Sequence, residues 1–139
     1  TDIYTLSLHD ALPISIYTEG KIKNANCFLY NYDENVWGGD RAFFGEETLF
    51  YPYCDCEDSS ILLSHLVRDL LGLDVVLVYY PGHLAMAVNF TEPVKGDYVM
   101  LDGRKFIVCD PTFIGGRVGN TMTGMENESV TAILLNRIN

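Results

Sequence analysis

Basic residues are scarce in this chain: nine lysines and arginines stand against nineteen aspartates and glutamates, giving a formal net charge of −10. Binding a phosphate backbone needs clustered Lys and Arg, so this balance argues against a nucleic-acid partner. No run approaches the roughly 18 uninterrupted apolar residues of a membrane-spanning helix, and no basic-then-apolar leader is visible at the start. The four cysteines, Cys27, Cys54, Cys56 and Cys109, form no C-x-x-C pair of the kind that builds zinc knuckles. A disulfide framework is not expected either. A chain of 139 residues can bury enough core to fold without staples, and Cys54 and Cys56 are too close in sequence to bridge easily. With 48% hydrophobic residues, 12 Gly and 5 Pro, and no internal repeat, the default is one globular domain with one core.

The first residues stand apart. Thr5 to Ile14 read TLSLHDALPI, which is, codon for codon, the translation of one frame of a common sequencing-adapter oligonucleotide. We therefore expect residues 1–14 to come from an untrimmed read and residues 15–139 to be a partial domain. On that expectation His9 and Asp10 drop out as site candidates, and any export signal would have preceded the fusion point, so no compartment is assigned. The alternative is an amphipathic helix carrying Leu6, Leu8, Leu12 and Ile14 and closed by Pro13.

Beyond Ser15 the pattern first reads as polar, with a short apolar run at Cys27 to Tyr30 expected to end a helix. Trp37 to Tyr53 is rich in aromatic residues broken by Gly38, Gly39 and Pro52, and is expected to be an irregular loop walling a site. The clearest helix is predicted from Cys56 to Leu71. Ile61, Leu62, Leu63, Leu66, Val67, Leu70 and Leu71 form its apolar face, Gly72 stops it, and Asp55 with Asp58 caps its start. Strands follow at Asp74 to Tyr80 and, after Pro81-Gly82, at His83 to Phe90. In the second strand His83, Ala85, Ala87 and Asn89 share a face whose small residues are expected to receive the helix. Tyr98 to Leu101 and Lys105 to Asp110 form a hairpin around Asp102-Gly103, and Val130 to Leu135 reads as a last strand. A helix followed by an antiparallel meander is an α+β layout.

Three residues in this layout suggest thiol chemistry. A cysteine nucleophile reacts as the thiolate, which a helix N-terminus or an imidazolium favours, and Cys56 holds the first helical position. Its imidazole partner must be held in one orientation by a third polar group. His83 at one strand start and Asp110 at another strand end fit that requirement.

The segments C-E-D-S-S-I-L-L-S-H-L-V-R-D-L-L-G-L (56–73), P-G-H-L-A-M-A-V (81–88) and V-C-D-P-T-F (108–113) resemble the core of transglutaminase-like domains. That family has a Cys followed two positions on by Asp at the start of a long helix, then a His opening a strand, then an Asp-Pro-Thr at a later strand end. Cys56 with Asp58, His83, and Asp110 with Pro111 and Thr112 match in that order. The resemblance spans residues 53–113 and implies a papain-like fold, with the nucleophile helix packed on an antiparallel sheet. It also implies a Cys56–His83–Asp110 triad acting on a peptide or protein amide, with no cofactor. Hydrolysis is favoured over crosslinking, because no second-amine site and no carboxylates at calcium-loop spacing are visible. Leu84 and Ala85 follow the His where many members carry an aromatic residue, and the oxyanion donor stays open among Trp37, Tyr53 and the Cys56 amide.

Several features are read otherwise. Asp55, Glu57 and Asp58 surround Cys56 with negative charge, which opposes a thiolate, and Asp58 is expected to be a cap rather than an acid. Cys54 and Cys56 with His83 or Cys109 have weak spacing for a soft metal, so no metal is assigned. His65 is expected to be structural or solvent-facing. A catalytically silent module that binds a polymer or protein through Trp37 to Tyr53 is the alternative function.

Overall fold

A computed structural model describes residues 29–30, 32–51 and 53–135. The adapter-like segment, Cys27 and the start of its apolar run lie outside the described residues. Leu29–Tyr30 forms a short strand, β1, rather than a helix end, and pairs in parallel with β2 (Tyr53–Cys54). Between them lie two short helices, α1 (Asp33–Trp37) and α2 (Gly45–Phe50). The expected irregular loop therefore contains ordered helix, with Gly38 in the left-handed conformation ending α1.

The main helix, α3, runs Cys56–Leu66 and passes into a π-helical turn at Val67–Leu71, ending at Gly72 with φ 65°. Five antiparallel strands follow: β3 (Asp74–Tyr80), β4 (His83–Asn89), β5 (Tyr98–Leu101), β6 (Arg104–Cys109) and β7 (Thr131–Leu135). Their order in the sheet is β5-β6-β4-β3-β7, so β4 and β3 are interior and carry the Val-rich, doubly buried sequence. The β5–β6 hairpin turns at Asp102 and Gly103, both at positive φ, as the Asp-Gly pair predicts. The fold is α+β. Among the described residues no helix is long and apolar enough to cross a membrane.

Helix α3 packs on the opposite face of β4 from the one expected. Leu84, Met86 and Val88 meet Cys56, Leu62 and Leu63, together with Val75 and Leu77 of β3. Ala85 and Ala87 instead join Val76, Val78, Tyr80 and Phe106 in a second cluster across the sheet. The reason lies in the helix, which brings its own small residues to the contact. Ser59, Ser60 and Ser64 are buried, and the Ser60 hydroxyl donates to the Leu84 carbonyl at 3.2 Å. Large strand side chains thus interleave with helix serines, and the predicted apolar stripe is only partly used: Leu70 is 75% exposed.

A second close approach fixes the loop after β6. Gly119 inserts its backbone between the chain ends of the β5–β6 hairpin. Its N–H donates to the Val108 carbonyl at 2.7 Å, and its carbonyl accepts from Asp97 N at 2.8 Å. A Cβ on Gly96 would stand 2.3 Å from the Gly119 Cα, so only glycine fits there.

Candidate active site

The N-terminus of α3 is capped as the sequence predicts. The Asp55 carboxylate accepts from the amides of Glu57 at 3.0 Å and Asp58 at 3.2 Å, and Asp58 accepts in return from Asp55 N at 3.2 Å. The cap uses the Glu57 and Asp58 amides, not that of Cys56. Asp58 also accepts from Phe43 N at 2.8 Å, and this bond fastens the aromatic segment to the nucleophile helix. Arg41 organises that segment. Its guanidinium lies over the rings of Trp37, Phe43 and Tyr51 and pairs with Glu47 at 2.6 Å, while its amide donates to Asp33 at 2.7 Å.

His83 lies across the Pro81-Gly82 turn from Tyr80, its cross-strand partner. The His83 Nε2 is 2.6 Å from Asp110 Oδ2, and both side chains are nearly sealed from solvent. Asp110 follows β6, where the β4–β6 register sets it beside the start of β4. Its second oxygen accepts from Thr112 N at 3.0 Å and Thr112 Oγ1 at 2.9 Å, so Asp-Pro-Thr is a local clamp that aims the carboxylate. With Nε2 taken by Asp110, Nδ1 is the ring nitrogen left to face Cys56, which lies near enough to the ring to favour its protonated form. The structure thus brings Cys56, His83 and Asp110 together in one chain of contacts.

The electrostatics follow from these contacts. The bond to Asp110, and then the nearness of Cys56, raise His83 to about 9 against an opposing effect of burial. Burial pushes Asp58 up to about 7, opposed by its bond from Phe43 N and reinforced by the nearby Asp55 charge. Burial also raises Asp55 and Glu57, helped respectively by Asp33 and Asp40. The collar around Cys56 therefore carries less negative charge near neutrality than its formal count, which relieves part of the repulsion expected from the sequence.

Other candidates are accounted for elsewhere. Cys54 faces Ser59 at 3.4 Å and Cys109 donates to the Ile107 carbonyl at 3.6 Å, so the weak soft-metal set does not assemble. Cys54, Cys56 and Cys109 are free thiols. Among the described residues only Asp33, Asp55 and Asp58 bring three ligand-type atoms together, within 4.8 Å of one another, and backbone amides already engage all three carboxylates. His65 is exposed. Trp37 packs edge-on against Phe43 and Tyr51 beneath Arg41. No family model matches the chain, and no curated protein matches it.

Three contributors escape the sequence reading: Asp33, Ser60 and Tyr80. Asp33 and Ser60 act through contacts distant in sequence, and no local pattern announces them. Tyr80 could have been found from hairpin register, because the Pro81-Gly82 turn places it opposite His83.

Proposed function

We propose that this chain is a transglutaminase-like cysteine enzyme with a papain-like core, which cleaves or transfers the acyl group of a peptide or protein amide. One observation carries this reading: a single imidazole, bonded to Asp110 at 2.6 Å, lies near the thiol at the first turn of α3. The matching order of Cys56-x-Asp58, His83 and Asp110-Pro111-Thr112 supports it.

The Cys56 thiolate attacks the substrate carbonyl carbon, and the Cys56 amide, left out of the cap, is one candidate donor to the developing oxyanion. The tetrahedral adduct collapses as His83 gives its proton to the departing amine, leaving a thioester on Cys56. His83 then takes a proton from water as that water attacks the thioester, and the carboxylic acid leaves. An amine in place of water gives transfer, but hydrolysis is the favoured outcome. Throughout, Asp110, aimed by Thr112, keeps the ring in one tautomer and stabilises the imidazolium.

The test is release of amine from a panel of peptide amides, with mass detection of an acyl adduct on Cys56. Activity lost in Cys56→Ser and His83→Ala supports the proposal. Equal turnover by wild type and Cys56→Ser overturns it. A second reading, a binding module without turnover, draws on the exposed Phe44 and Phe50, 76% and 80% accessible at the two ends of α2. It would be favoured by ligand binding that Phe44→Ser abolishes and Cys56→Ser leaves intact.

A further inference from the structure

On the sheet face away from α3, Tyr80 lines a cavity of about 290 Å³ together with Asp97, Val108, Thr121, Met125 and Glu126 among others. The Tyr80 ring is 8% exposed and lies beside the imidazole, with centroids 6.2 Å apart and planes tilted by 33°. Thr121 lines the same cavity, and Tyr80 is near enough to Asp110 and Asp97 to feel their charges. Thr121 is itself fixed, since its amide donates to the Asp97 carboxylate at 3.0 Å, two residues beyond the Gly96–Gly119 contact.

From these contacts we infer that Tyr80 is a positioning residue of the proposed catalytic centre: its ring screens the His83–Asp110 hydrogen bond from the cavity, with Thr121 beside it in the cavity wall. The inference rests on the reading of that pair as catalytic. The physical argument concerns water. A polar, open cavity is solvated, and water reaching the pair would compete for the Asp110 oxygen and weaken the bond that orients His83. The ring supplies an apolar wall on that side. The segment carrying Thr121, which lies between β6 and β7 with no strand or helix of its own, thereby becomes part of the site's support.

The measurement is proton NMR of the His83 Nε2–H, whose exchange with solvent reports water access without any need for turnover, alongside the pH titration of the His83 ring. Tyr80→Leu should speed that exchange by about tenfold or more and move the His83 midpoint downward. Tyr80→Phe and Thr121→Val should each give a smaller increase, and the two should not add in the double variant, because both change the same wall of the cavity. A folded Tyr80→Leu with unchanged exchange and an unchanged titration overturns the inference. If Tyr80→Leu does not fold, the pair of conservative variants decides: equal, non-additive increases support the screen, and no increase in either overturns it. An exchange response in a protein that turns over no amide would retain Tyr80's role while removing the proposed function. Turnover with no exchange response would do the reverse.

Discussion

Replacing Asp110 by Asn keeps the shape of the Asp-Pro-Thr clamp, because an amide oxygen can still accept from Thr112, but removes the charge facing His83. In the fold His83 stands at about 9 against an ordinary value of 6.5. Because the folded value is raised, the folded state binds more protons than the unfolded chain between those values. The resulting stability is fully present below pH 6.5 and is lost as pH rises through about 9. The difference corresponds to about 3 kcal/mol, applied to a side chain only 7% exposed. Urea denaturation of the wild type, followed by Trp37 fluorescence from pH 6 to pH 10, should therefore show stability falling by about that amount. In Asp110→Asn the leading cause of the raised value is gone and burial, which lowers it, remains, so the fall should shrink to about 1 kcal/mol or less. The two curves should converge near pH 10. Contributions from lysines and tyrosines common to both proteins cancel in the difference. Parallel curves, with Asp110→Asn equally destabilised at every pH, would refute the reasoning, because they would place Asp110's contribution outside its charge on His83.

Asp58 makes an opposite kind of statement at lower pH. Its carboxyl, raised from 3.8 to about 7 in the fold, favours the protonated form, so stability is present below about pH 4 and lost as pH rises through 7; Asp58→Asn should flatten that window in acid-to-neutral denaturation curves. Gly119→Ala sets a Cβ 2.7 Å from the Gly96 Cα and the Lys95 carbonyl, at φ +84°, and should lower stability by about 2 kcal/mol or more. Gly103→Ala, with open space around it at φ +72°, should cost about 1 kcal/mol, and equal losses at the two sites would remove the close-approach argument. Ser60→Ala removes the bond to Leu84 and should cost about 1 kcal/mol, whereas Ser60→Leu overpacks the α3–β4 contact and should cost about 2 kcal/mol or more, as read from thermal unfolding.

The elements that could be read in the sequence are those whose signals are local. The Asp55 cap, the Gly72 stop, the Asp102-Gly103 hairpin and the Val-rich β3 each depend on a few neighbouring residues, and each forms. The face of β4 that receives α3 was not legible. Small residues on either partner permit close packing, and the serines of α3 take that role rather than Ala85 and Ala87. The helices within the aromatic segment were hidden for a similar reason: Arg41, Asp33 and Asp58 hold that segment through contacts that no periodicity reports. At the candidate site, the convergence of Cys56, His83 and Asp110 was readable from order and setting. The thiol's acidic neighbours were also visible, but the burial that raises Asp58 to about 7 and lifts Asp55 above its ordinary value was not.

The account turns on whether His83 activates Cys56. The direct measurement is the rate of iodoacetamide alkylation at Cys56, followed by mass mapping against Cys54 and Cys109, from pH 5 to pH 10 in wild type and in His83→Ala. Activation by His83 predicts that wild-type Cys56 is alkylated readily on the acidic side of neutrality and that His83→Ala slows this by about tenfold or more, leaving a rate that climbs with pH in the ordinary way of an unassisted thiol. A wild-type profile that already rises in that ordinary way, and is unchanged by His83→Ala, would contradict it.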